Sequence, residues 1–127
     1  MKQTERRDKG LLYISDDEIM AQQMNARRLM QWLNTVDRSD FAAIREIVKE
    51  LLGKSNKAMI NPPFYCDYGF NIEVGENFFA NYNCTILDVA KVKIGKNCLL
   101  APNVAYIQRG IPFIPHTAKR SGNTVLP

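Results

Sequence analysis

The chain is short of the groups that usually announce a chemistry. It holds one histidine, His116, and one tryptophan, Trp32, in 127 residues. Its three cysteines, Cys66, Cys84 and Cys98, form no CxxC pair and leave an odd one over. That excludes a disulfide framework and gives no metal-ligand spacing; they read as reduced, buried, small hydrophobes in a cytoplasmic protein, and no metal is expected. No apolar run approaches the ~20 residues a bilayer-crossing helix needs, so no membrane role is expected. The N-terminus, Met1-Lys2-Gln3-Thr4-Glu5-Arg6-Arg7-Asp8-Lys9, is charged and has no apolar signal core.

What is present is ordinary in bulk: 46% hydrophobic and 24% charged residues, as in one globular domain. The net charge of +4 invites a nucleic-acid reading. Most of the basic residues lie in the first half, mixed with Glu and Asp as on solvated helix faces, so no nucleic-acid partner is expected.

Residues 1–57 read as a helical segment with two helices. Ser15-Asp16-Asp17-Glu18 fits a capping box, Ser15 as the cap. Behind it, Ile19, Met20, Gln23, Met24, Arg27, Met30 and Leu33 form a stripe near helical period. Ser39 or Asp40 opens the second helix, whose stripe is Phe41, Ile44, Ile47, Val48, Leu51 and Leu52. Gly53 stands where a left-handed C-terminal cap belongs. Two such stripes must cover something, most simply the side or end of the segment C-terminal to them.

From Ala58 the pattern changes. Val74-Gly75-Glu76-Asn77-Phe78-Phe79-Ala80-Asn81-Tyr82-Asn83 and Ile94-Gly95-Lys96-Asn97-Cys98-Leu99-Leu100-Ala101-Pro102-Asn103 align residue for residue. Val74, Ala80, Ile86 and Val92 recur in sixes, as do Ile94 and Leu100, with one adjustment of phase near Lys91 to Lys93. Six-residue spacing predicts a triangular coil of three short parallel strands, ~18 residues per turn, with one apolar side chain inward per face. Gly and Asn are expected at the corners, where left-handed backbone costs them least. Two β-hairpins are disfavoured, because hairpins alternate at period two.

At these residues a family resemblance becomes specific. Pro62-Pro63-Phe64-Tyr65-Cys66-Asp67-Tyr68-Gly69-Phe70-Asn71-Ile72, Asn77 to Cys84, Ile86-Leu87-Asp88-Val89 and Ile94 to Val104 resemble the maltose and galactoside O-acetyltransferases, and Leu12 to Leu29 resembles their helical N-terminal segment. The resemblance implies a mainly β fold, a left-handed parallel β-helix of hexapeptide repeats, about two coils long over residues 58–105, behind the helical segment. It implies a homotrimer with sites between subunits, acetyl-CoA as the acetyl donor and a sugar hydroxyl as the acceptor. In the chemistry it implies, a histidine takes the sugar proton, the oxygen attacks the thioester, and backbone amides hold the oxyanion. Asp67 and Asn81 fall where the family's residues hold the acceptor or orient the histidine. By residue type alone, a corner cap is the favoured reading of Asp67 and a stacked corner asparagine that of Asn81; the resemblance reverses this in favour of the acceptor role.

The chain departs from the family after Val104. There the family continues through Ile-Tyr-Thr-Ala-Gly-His-Pro, whose histidine is the base, and then through further coils that build most of the coenzyme site. This chain reads Ala105-Tyr106-Ile107-Gln108-Arg109-Gly110-Ile111-Pro112-Phe113-Ile114-Pro115, so no catalytic residue is assigned and the coenzyme-binding residues are unknown. His116 sits outside the motif, and correct placement there would be fortuitous, since ~1 Å of misplacement can cost ~100-fold in rate. The expectation is a truncated chain with an irregular tail over residues 106–127, inactive or nearly so; a folded non-catalytic remnant or a sugar-binding or oligomerisation module is the alternative. Back-translated and read two bases later, Tyr106 to Pro115 can spell Tyr-Thr-Ala-Gly-His-Pro-Phe-His-Pro, so the tail from about Ala105 is expected to be an out-of-frame translation, with a genuine divergent C-terminus as the alternative. Sequencing the gene tests this: the shifted frame near codon 105 should encode Tyr-Thr-Ala-Gly-His-Pro, and any other string there rejects the frameshift.

Overall fold

A computed structural model of the chain describes residues 1–107 and the strand Phe113–Pro115. The N-terminal segment holds α1 (Gln3–Asp8), β1 (Tyr13–Ser15), α2 (Asp17–Thr35) and α3 (Phe41–Leu51). The sequence led to two helices. The additional α1 has no apolar stripe to betray it; Thr4 and Arg7 are its buried residues.

Several local expectations shift. The cap of α2 is Asp16, whose carboxylate accepts from the Ile19 amide at 3.1 Å, while Ser15 ends strand β1. The α2 face turned inward is Ile19, Ala26, Leu29 and Leu33, and the expected Met20 and Met24 are about half exposed. Neighbours rather than hydrophobicity choose the phase, because α2 packs on α3 and on the first coil. In α3, Asp40 caps by accepting from the Ala43 amide, and Ile44, Ile47, Val48 and Leu51 are buried as expected, whereas Phe41 is exposed. Gly53 is not in the left-handed region. It is needed because a Cβ there would strike the carbonyl of Phe70.

After α3 the chain coils through eight short strands: β2 (Met59–Ile60), β3 (Phe64–Cys66), β4 (Ile72–Val74), β5 (Phe79–Ala80), β6 (Cys84–Leu87), β7 (Val92–Ile94), β8 (Leu99–Leu100) and β9 (Ala105–Ile107). They visit three sheets in turn, β2-β5-β8, β3-β6-β9 and β4-β7, all paired in parallel. This is the strand pattern of a parallel β-helix, and it excludes the hairpin alternative.

The register corrects the period. Met59 pairs with Phe79 and Phe79 with Leu99, Phe64 with Cys84, and Ile72 with Val92, so each turn takes twenty residues rather than ~18. The extra two enter on the β4–β7 face, where Ile72 and Val74 below, and Val92 and Ile94 above, are core residues on one strand. The phase adjustment seen near Lys91 to Lys93 therefore recurs each turn. Corners are turned by asparagine: Asn77, Asn83, Asn97 and Asn103 have φ of 61°, 59°, 60° and 64°. Gly75 does not need a left-handed angle. It is small because a Cβ would meet the Lys96 amide of the next turn.

The lower edge of the stack is sealed by the helical segment. Asn34, near the end of α2, accepts from the Phe64 amide at 2.9 Å and donates to the Phe64 carbonyl at 3.0 Å, acting as one more rung. The Cys66 amide donates to the Met30 sulfur at 3.1 Å. Lys54 bridges to Glu73 on β4. Beyond the coils, β10 (Phe113–Pro115) runs parallel to β1. The stretch expected to be irregular thus contributes the last two residues of β9 and one strand, while His116 lies outside the described residues.

Two substitutions test this packing. Ile86→Ala, at a fully buried position, is expected to cost about 2–5 kcal/mol. Gly75→Ala is expected to cost about 1–3 kcal/mol by overpacking against the next turn. Urea unfolding measures both, and wild-type stability in either would contradict the coil register.

Candidate functional site

The corner after β3 brings a carboxylate, a guanidinium and an amide to one cleft. Asp67 leaves the buried strand at Cys66 and enters a cleft of about 220 Å³ lined by Gln23, Arg27, Met30, Tyr65, Cys66 and Asp67. Helix α2 forms one wall and the outward edge of β3 the other. The cleft is mixed in character: a carboxylate, a guanidinium and an amide above a floor of two sulfur side chains. Its polar members match a polyhydroxylated ligand, because carboxylates accept and guanidinium and amide groups donate in fixed directions.

Electrostatics follow from burial. Desolvation raises the Asp67 carboxyl above the usual carboxylate range, with the Asp88 backbone opposing it. Burial also pushes the Cys66 thiol far up, with the charges of Asp88 and Asp67 adding to it. Cys66 is therefore a neutral wall and not a nucleophile. Behind the corner, Tyr13 is buried and its phenol is pushed up to about 12, chiefly by desolvation.

The turn Asp67–Asn71 is held from three sides. The Asp88 carboxylate accepts from the amides of Asp67 (3.0 Å), Tyr68 (2.9 Å) and Asn71 (3.3 Å). Arg7 of α1 places its guanidinium 4.7 Å from the Tyr68 ring centroid and 5.8 Å from that of Phe70, a cation–π contact in a site only 6% exposed. Gln23 of α2 donates to the Tyr68 hydroxyl at 3.3 Å.

Asn81 is not brought into this cleft. It follows β5, at the other end of the face that Asp67 leaves, and its side-chain oxygen accepts from the Tyr82 amide at 2.9 Å. Nor is it a left-handed corner residue; Asn83 is. The sequence reading placed Gln23 and Arg27 in the stripe of α2 but did not see them as cleft residues, because a helical period does not show which neighbour a face meets. It also missed Asp88, whose partners are backbone amides that leave no mark in a sequence. Among the described residues no group of three or more His, Cys, Asp or Glu side chains converges as a metal site.

Comparison with known proteins fits this geometry. Residues 8–56 match the maltose acetyltransferase hexapeptide capping motif. The chain is 35% identical over 124 residues to the galactoside O-acetyltransferase of Escherichia coli K12, covering 96% of this chain and 61% of that protein; the match therefore runs beyond Val104. The structure of a maltose O-acetyltransferase from Clostridium difficile 630 superposes with a TM-score of 0.80 at 36% identity, over 83% of this chain and 57% of that one. A galactoside acetyltransferase in complex with coenzyme A superposes with a TM-score of 0.82 at 33% identity, over 95% of this chain and 61% of that one. The chain is thus similar to the hexapeptide-repeat acetyltransferases, the maltose and galactoside O-acetyltransferases among them, and it spans about three fifths of the length of these relatives.

The raised carboxyl of Asp67 has a stability signature. Folding disfavours its ionised form, so the cost is fully present at neutral pH and is relieved as pH falls through the raised folded value. Asp67→Asn removes that cost. Its melting temperature is expected to exceed wild type at pH 7, with the two converging below the usual carboxylate range; a variant less stable at pH 7 would contradict this.

Proposed function

We propose that this chain is the acceptor-side portion of an acetyl-CoA-dependent sugar O-acetyltransferase. In this reading the coils wind left-handed and number about two, and the protein works in the cytoplasm. The observation that carries it is the Asp67 cleft, whose polar lining and small volume suit one sugar ring. Asp67 would accept hydrogen bonds from sugar hydroxyls, with Arg27 and Gln23 donating from the opposite wall. The cleft does not fit the coenzyme. Its volume of about 220 Å³ falls below the ~300–1,000 Å³ that drug-sized ligands occupy, so no donor step is assigned to these residues.

Asn81 enters this reading through assembly. Asp67 and Asn81 sit at different corners of one chain, and a homotrimer with sites between subunits is the arrangement in which both could face one acceptor. The motif histidine is missing from the string after Val104, and loss of a general base typically removes ~10²–10⁴ in rate. This polypeptide is therefore expected to bind sugar without transferring acetyl groups. The out-of-frame origin of the tail remains the proposed reason for the missing base.

Acetyl-CoA turnover with maltose, glucose and galactosides, paired with calorimetry, tests the proposal. The expected result is no turnover above background and weak sugar binding, weakened further in Asp67→Asn. Robust acetylation by this polypeptide, or sugar binding indifferent to Asp67→Asn, would contradict it.

A further inference from the structure

Asp88 is the most deeply buried charge in the described chain, at 0% exposure. An isolated carboxylate there would be costly, and a well-packed apolar residue of similar size would often serve stability as well or better. What the site supplies instead is a set of donors from a single turn. Oδ1 accepts from the amides of Asp67 and Tyr68, and Oδ2 accepts from that of Asn71. The tie is reciprocal: the Asn71 side-chain amide donates back to the Asp88 carbonyl at 2.8 Å and to the Val89 carbonyl at 3.1 Å. Between them, Gly69 takes the left-handed angle the turn requires, φ 82°. Three residues of one turn, Asp67, Tyr68 and Asn71, are thus gathered onto one residue of the next.

We propose that Asp88 is a positioning residue for the acceptor cleft: its buried carboxylate fixes the turn Asp67–Asn71 and thereby aims the Asp67 side chain at the ligand. This rests on the reading of Asp67 as an acceptor ligand. A charged anchor suits the task because a carboxylate accepts several amides at once and makes stronger bonds than a neutral group. An apolar residue at 88 would leave three amides unsatisfied and the turn free to shift. The Asp67 carboxylate is itself tied to the Asp88 backbone, so the same residue holds both the amide and the side chain of Asp67. The titratable and charged groups around the turn are Asp67 itself, Cys66, Tyr68, Tyr13 and Arg7.

The test is carbon-detected titration of the Asp67 and Asp88 carboxyls by NMR, together with binding of methyl galactoside and maltose, in wild type, Asp88→Asn, Asp88→Glu and Asp67→Asn. In wild type the amides of Asp67, Tyr68 and Asn71 should shift together, in step with the Asp88 carboxyl. In folded Asp88→Asn the Asp67 carboxyl should return toward its ordinary range as its burial loosens, and sugar affinity should fall by about tenfold or more. Asp88→Glu should restore part of both. An unchanged Asp67 titration and unchanged affinity in folded Asp88→Asn would overturn the proposal. So would turn amides that titrate independently of Asp88 in wild type, a measurement that holds even if the variants do not fold. If wild type binds neither sugar, the acceptor reading fails by itself, and the anchoring of Asp67 by Asp88 is decided by the titrations.

Discussion

A parallel coil stack has an end, and the end is a row of unpaired strand edges. Everything else in this chain depends on how that edge is closed. The inter-turn register supplies the interior: backbone bonds pass from each turn to the one twenty residues on. The lowest turn has no turn beneath it. Asn34 and Met30 stand in for the missing strand against Phe64 and Cys66, and Lys54 does so against Glu73. The helical segment is thus part of the hydrogen-bonding scheme of the coil, beyond covering it.

That closure also builds the candidate site. The same helix that seals β3 brings Gln23 and Arg27 over the corner where Asp67 emerges. One turn of α2 further on, Met30 serves both as edge partner and as cleft floor. The turn Asp67–Asn71 is then pinned by Asp88 from above and by Arg7 from the side. Edge closure and the geometry of the candidate cleft are one problem solved by the same few residues. The cost falls on Asp67 and Asp88, both held by burial at raised carboxyl values, which is the pattern expected where function opposes stability.

Much of this was legible in the sequence, for identifiable reasons. The paired segments starting at Val74 and Ile94 exposed the coil because each turn places like residues at like corners. The four left-handed asparagines follow from the same repeat. The twenty-residue offset of the paired segments was on view, but counting in sixes turned it into ~18 residues per turn, because that count from Val74 never meets Ile72, which shares its strand and its core face. The family string pointed to Asp67 and Asn81 together, and their separation in one chain was not legible, since residue types carry no information about which corner faces which. Helix α1 and the Asp88 anchor were illegible for one reason: their partners are an aromatic face and backbone amides, which no side-chain pattern announces.

Residue-resolved amide hydrogen exchange on the intact chain measures edge closure most directly, because exchange reports whether an amide has a persistent partner. The account predicts that Phe64 and Cys66 exchange as slowly as Phe79 and Thr85, whose amides are bonded to the turn above. Exchange at Phe64 and Cys66 as fast as at solvent-facing corner amides would show that the helical segment does not close the stack.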